Sequence, residues 1–146
     1  MGHRALPRRP TLAPEPADPQ EHRNPLKFEL SQSFFFEAAH TLDRSIDREG
    51  SLRVHGHTYW AEIGVAGVPD SATGMVVDLG YIRREIERVR DALDHRLLDD
   101  VDGLGPATLE GLCAYLWRQL RPVLPHLSRV EVWREASGDR CRLTSG

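Results

Sequence analysis

Cysteine is scarce in this chain: two residues, Cys113 and Cys141, among 146. Two are too few for a disulfide framework. They fit a reducing compartment, so a cytoplasmic location is expected. Long apolar runs are missing too. Nothing approaches the roughly 18 apolar residues that a membrane helix needs. The first residues lack an apolar core segment, so a secretory signal is not expected. Charge of one sign is also missing. A net charge of −3 gives no electrostatic footprint for nucleic acid or for an anionic membrane. Neither partner is expected. Apolar residues at 40% and charged residues at 28% are ordinary for a soluble globular chain. The length predicts one domain with a tail.

Histidine is what the chain has in numbers: seven residues against the two cysteines. Histidine is the commonest metal ligand and the usual acid or base near neutral pH.

Six of the ten prolines lie within the first 25 residues, with almost nothing large and apolar beside them. Such a stretch buries too little surface to offset its ordering entropy. Residues 1–25 are expected to be a disordered tail, and residues 26–146 a folded domain. Lys27 to Ala39 reads as a strand, with Phe28, Leu30, Phe34, Phe36 and then His40 on one parity. Thr41 to Gly50 is a charged connection. Val54 to Val65 is a second strand, where His55, His57, Tyr59, Ala61, Ile63 and Val65 share a face. Gly67 to Gly74 is a turn region. Asp78 to Asp94 switches to helical spacing, with Ile82, Ile86, Val89 and Leu93 as its stripe and Asp78 as N-cap. Thr108 to Leu120 is a second helix, between Pro106 and Pro122. Val130 to Glu135 and Arg140 to Thr144 are strands joined by a Ser137-Gly138-Asp139 turn. The predicted order is β-β-α-α-β-β, an α+β fold.

His55-Gly56-His57 is the sharpest local signal. Alternate strand residues point to one face with Cα atoms about 6–7 Å apart, so two imidazoles converge on one ion. Gly56 leaves room for close backbone approach. A hairpin brings His40 to the same place. Three neutral imidazoles with an open fourth position are the ligand set of a catalytic zinc. A rival reading takes His55, His57 and Glu62 as a cupin-type set. Glu62 has the opposite parity, and four strands cannot build a double-sheet jelly roll. Asp94-His95 closes the first helix, where an Asp can orient the ring. Glu135 is a strand carboxylate on the parity of Trp133.

Taken together, these residues resemble the 6-pyruvoyltetrahydropterin synthase and 6-carboxytetrahydropterin synthase family. The likeness runs from about 27 to 144. It is carried by Phe36-Glu37-Ala38-Ala39-His40, Val54-His55-Gly56-His57-Thr58-Tyr59, Gly74-Met75-Val76-Val77-Asp78, Leu93-Asp94-His95, Thr108-Leu109-Glu110 and Glu135. The resemblance implies the tunnelling fold, a four-stranded antiparallel sheet with two helices on one face. It also implies a ring-shaped homohexamer, a dimer of trimers, with active sites between subunits. Neighbouring sheets would then cover strand edges. The implied substrate is 7,8-dihydroneopterin triphosphate. By resemblance His40, His55 and His57 bind zinc, which acts as a Lewis acid on the side-chain hydroxyls. Asp94 and His95 relay protons. Glu135 anchors the pterin ring through paired N–H bonds, and Thr108 and Glu110 join it in binding substrate. One branch of the family forms a pyruvoyl side chain. Another releases acetaldehyde and leaves a carboxylate, on the route to 7-deazaguanine and queuosine.

The chain departs from that pattern at Ser51, where the family has its catalytic cysteine. A serine hydroxyl is far less acidic than a thiol and needs an adjacent base. Glu49, two residues upstream, is the candidate substitute base. Cys113, beside an apolar stripe, reads as packing. Pro106-Ala107-Thr108 carries one residue more than the family's usual Pro-Thr. Three readings follow. The first is a zinc-dependent 6-carboxy-5,6,7,8-tetrahydropterin synthase-like lyase. The second is a pyruvoyl-forming or folate-directed relative. The third is a zinc-containing pterin-binding protein that has lost turnover.

Overall fold

The computed structural model describes residues 25–146. All but the last residue of the proline-rich segment lies outside the described residues. The sheet starts from two 13-residue strands, β1 (Phe28–His40) and β2 (His55–Gly67). They pair antiparallel without a break from Phe28↔Gly67 to His40↔His55. Their alternation sorts the side chains by face. Phe34, Phe36, Ala38, Tyr59, Ala61, Ile63 and Val65 are buried on one side. Phe35, Trp60 and Glu62 fall on the other. β4 (Leu127–Arg134) joins β2, and β5 (Asp139–Thr144) closes the sheet as a hairpin with β4.

The helices cover the apolar face. α2 (Leu79–Leu93) buries Ile82, Ile86, Val89 and Leu93. α3 (Leu109–Leu120) buries Leu112, Cys113, Tyr115, Leu116 and Leu120. Both start on side-chain caps. The Asp78 carboxylate accepts from the Gly80 N–H, and the Thr108 hydroxyl accepts from the Gly111 N–H. Full burial of each large aliphatic or aromatic side chain contributes roughly 1.5–3 kcal/mol. One continuous core therefore holds the layers together.

Three features correct the expected pattern. The charged connection after β1 contains a short helix, α1 (Arg48–Leu52), entered through Asp47 at φ 53°. The sheet is mixed rather than purely antiparallel and has five strands, ordered β3-β1-β2-β4-β5. The added strand, β3 (Arg96–Leu97), runs parallel to β1 through Ala38 and Ala39, and a 3₁₀ turn follows it. Finally, β4 ends at Arg134 and Glu135 opens the turn to β5, so Glu135 is not a strand residue. Two residues of parallel pairing have no periodicity to detect, and a helix of five residues barely exceeds one turn. No helix among the described residues is long and apolar enough to cross a membrane.

Candidate metal centre and active site

The β1–β2 register places His40 directly opposite His55, with His57 opposite Ala38. The three side chains sit on the helix-facing side at the end of the hairpin. His40 Nε2 lies 3.0 Å from His55 Nε2 and 3.1 Å from His57 Nε2. All three offer ligand atoms within 4.8 Å of one another.

The outer nitrogens decide what these contacts are. His40 Nδ1 is 2.8 Å from the Ala107 carbonyl, and His55 Nδ1 is 2.7 Å from the Arg53 carbonyl. A carbonyl only accepts, so both Nδ1 atoms carry the proton. Each Nε2 then presents a lone pair to the other, and two lone pairs at 3.0 Å do not bond. A shared proton is disfavoured. Burial lowers the pKa of His40, against the pull of the Ala107 carbonyl. Burial, Arg134 and the other histidines push His57 down to about 4. The arrangement calls for a cation other than a proton. Neutral imidazoles whose outer nitrogens bond backbone carbonyls are a donor set that suits zinc. No fourth His, Cys, Asp or Glu joins the cluster among the described residues, which leaves a position for substrate.

The Ala107 carbonyl owes its position to Gly111. A Cβ at Gly111 would lie 2.2 Å from the Pro106 carbonyl oxygen, so only glycine lets this loop pack against the start of α3. Beside it, a cavity of about 360 Å³ is lined by His40, Tyr59, Thr108, Glu110, Arg134 and Arg140. Thr108 and Glu110 are therefore next to the metal cluster, with Thr108 also serving as the α3 cap. Burial pushes the Tyr59 phenol up to about 12, so it stays protonated, 3.5 Å from His40 Nδ1.

Asp94 and His95 are built as a pair elsewhere. Asp94 Oδ1 accepts from the Glu37 N–H at 2.9 Å, and its Oδ2 is 2.9 Å from His95 Nδ1. The Glu37 hydrogen bond is the main cause that holds the Asp94 carboxyl below its usual range. His95 adopts φ 57°, a costly backbone for a residue other than glycine. Its N–H bonds the Glu37 carbonyl. The Glu37 N–H and carbonyl that hold the pair lie along the β3 edge of β1, and only the Glu37 carboxylate, 3.9 Å from His95 Nε2, is on the face away from the three Nε2 atoms. An open groove of about 550 Å³, lined by Glu37, His57, Thr58 and His95, runs along that end of the sheet.

Ser51 is buried in α1, and its hydroxyl donates to the Arg48 carbonyl at 3.1 Å. The side chain of Glu49 is 87% exposed and ion-paired with Arg53. Glu135 is exposed, on the rim of a second groove it shares with His57, Trp60 and Arg134. Cys113 donates weakly to sheet carbonyls, and burial pushes its thiol up to about 12, as a packing residue requires. Arg134 is the residue that sequence reasoning missed. Its Nη1 lies 3.3 Å from His57 Nε2. The signal was present: Arg134 is in phase with Val130 and Val132, whose side chains face the helices.

The sequence model of the 6-pyruvoyl tetrahydropterin synthase family matches residues 29–145. The chain belongs to that family. The match includes every candidate site residue, from Glu37 to Arg140. A 6-carboxy-5,6,7,8-tetrahydropterin synthase of Synechocystis is 35% identical over 110 residues, covering 70% of this chain and 83% of the relative. The human 6-pyruvoyl tetrahydrobiopterin synthase is 32% identical over 111 residues, covering 66% and 77%. The fold is shared with the solved Caenorhabditis elegans 6-pyruvoyl tetrahydropterin synthase at a TM-score of 0.74 and 22% identity, over 84% of this chain and 98% of that one. The two relatives carry different products in their names, and their similar identities do not choose between them.

Proposed function

We propose that this chain is a zinc-dependent lyase of 7,8-dihydroneopterin triphosphate that forms 6-carboxy-5,6,7,8-tetrahydropterin. The observation that carries the reading is the set of three Nε2 lone pairs converging on one point, two of them fixed by backbone carbonyls. The family match and the Synechocystis relative supply the pterin. His40, His55 and His57 hold the ion, whose chemistry is to polarise side-chain hydroxyls and acidify the adjacent C–H.

The remaining steps fall to the chain's own groups. Thr108 and Glu110 line the cavity for the ring. Glu110 on its wall is the carboxylate for the ring's guanidine-like edge, with Glu135, on the neighbouring groove beyond Arg134, as the second candidate. Asp94 holds His95 with one ring nitrogen bonded and the other free to carry a proton. Ser51 has its hydroxyl committed to a carbonyl and no base among its hydrogen-bond partners, so it is a poor proton acceptor. Glu49 is the second candidate base after His95. Asp94 and His95 sit at the β3 edge of β1 and do not line the cavity beside His40, so a substrate touching both sets of groups is served by two protomers. A ring-shaped homohexamer of two stacked trimers provides this arrangement. Two free cysteines and no apolar span among the described residues support a cytoplasmic setting.

The test is product identification. Zinc-loaded protein is incubated with 7,8-dihydroneopterin triphosphate and the pterins are resolved by mass. Carboxytetrahydropterin with acetaldehyde supports the reading. A pyruvoyl or hydroxymethyl pterin replaces it with the corresponding relative's reaction. Retained pterin without turnover leaves only a binding protein.

A further inference from the structure

Arg134 is placed where a cation is least welcome. Its guanidinium is a cation, yet its Nη1 lies 3.3 Å from His57 Nε2, one of three nitrogens arranged for a metal cation. Two observations show that this is not a loose surface arginine. The Arg134 side chain is four-fifths buried, and its Nη2 is pinned to Asp139 Oδ2 at 2.7 Å. Asp139 is in turn held by the Ser137 hydroxyl at 2.7 Å. The buried Nε also has no hydrogen-bond partner.

Metal binding sharpens the problem. The acceptor that Nη1 now faces is the His57 lone pair, and that lone pair goes to the ion when the site is filled. Nη1 would then be an inward-facing charged donor without an acceptor, beside a second positive charge. The cost is removed if a negatively charged oxygen sits between the two, bonded to the guanidinium and occupying the open metal position. The cavity beside Arg134 also carries Arg44 and Arg140, against the carboxylates of Glu110 and Asp139. Its positive groups therefore outnumber its negative ones.

We infer that Arg134 is an anion-binding residue that receives, at the three-histidine centre, the side-chain carboxylate that the pterin carries only once it is product. It thereby selects a carboxylated pterin over a neutral one. The inference rests on the pterin reading for its ligand but not for its chemistry. Asp139 acts as the positioning residue that keeps the guanidinium turned toward the histidines.

The test separates the two. Full-length protein, loaded with zinc, is titrated with pterin-6-carboxylic acid and with 6-hydroxymethylpterin by fluorescence quenching. The unaltered protein should prefer the carboxylate by about 10-fold or more, the scale of a charge-assisted hydrogen bond. Arg134→Gln should bring the two affinities together while zinc stoichiometry stays the same. Arg134→Lys should keep part of the preference. In a second arm, acetate is titrated into the cobalt-loaded protein and followed by the visible cobalt bands. Acetate should bind about 10-fold more weakly to Arg134→Gln. Equal acetate affinity in both proteins, or a carboxylate preference that survives Arg134→Gln, overturns the inference. Arginine-dependent acetate binding with no affinity for either pterin keeps the anion site and overturns the pterin reading. A protein that loads neither metal overturns both.

Discussion

His40 and His55 face each other through Nε2 atoms 3.0 Å apart, each with its Nδ1 tied to a backbone carbonyl. This pair is repulsive without a cation, so a metal bound there would stabilise the fold. Removing metal with a chelator should lower the melting temperature by about 5 °C or more, since a ligand at 100 times its Kd adds about 2.7 kcal/mol. The check is calorimetry with and without one equivalent of zinc. In the His55→Ala/His57→Ala double variant the zinc-dependent shift should vanish. Retention of stoichiometric zinc by that variant would count against the centre.

Gly111 governs the same centre from a distance. A methyl at this position meets the Pro106 carbonyl at 2.2 Å, so the loop that delivers the Ala107 carbonyl to His40 must move. Gly111→Ala should weaken zinc by about 10-fold or more, the usual cost of losing the group that orients a metal-binding imidazole. Competition with a chromophoric chelator measures it. Zinc affinity equal to that of the starting protein would mean the carbonyl does not orient the ring.

Asp94–His95 sits at the β3 edge of β1, outside the cavity beside His40. If two protomers complete each site, His40→Ala and Asp94→Asn should each be nearly inactive alone, by about 10²-fold or more. Mixed and reassembled, they should recover a fraction of the activity, because some sites then carry both intact halves. No recovery on mixing, with assembly confirmed by light scattering, would place both halves in one protomer.

Glu131 is buried on the sheet face away from the helices, bonded by Arg129, Arg140 and Arg142. Burial alone would raise its pKa, but the hydrogen bonds from Arg140 and Arg142 outweigh it and the net direction is down. A carboxyl lowered in the folded state stabilises the fold above its unfolded pKa, and that contribution is lost as pH falls below it. Stability should therefore decline below about pH 4.5, the ordinary glutamate range. Glu131→Gln should be less stable at pH 7 and show a shallower acid decline. Chemical denaturation across pH 3 to 7 tests this. An unchanged acid slope would remove Glu131 as a contributor.

Cys113 should resist alkylation in the native protein. Burial raises its thiol from 9.0 to about 12, so the thiolate fraction at pH 8 is about 10⁻⁴. Mass mapping after iodoacetamide should find it modified only on denaturation. Modification at the rate of a free thiol under native conditions would contradict its packing role.

Much of the site was legible because strand alternation and helical spacing are local. The parity of His40, His55 and His57 put all three on one face, and the stripe from Ile82 to Leu93 named the side of α2 that is buried. Asp78 and Thr108 read as helix starts because their side chains bond N–H groups two and three residues on. Glu135 was misplaced because a single residue decides where β4 stops, and alternation carries no end mark. With the strand ending at Arg134, the inward position at its tip belongs to the arginine.

The residues themselves therefore determined which side chains share a face, since that depends only on chain geometry over a few residues. Only the tertiary structure decided what meets across the chain. It set Ala107 against His40 over 67 positions, and Arg134 against His57 over 77. It set Asp94 and His95 against the Glu37 backbone by pairing β3 with the far edge of β1. Such contacts come from sheet register and loop packing, which no local spacing encodes.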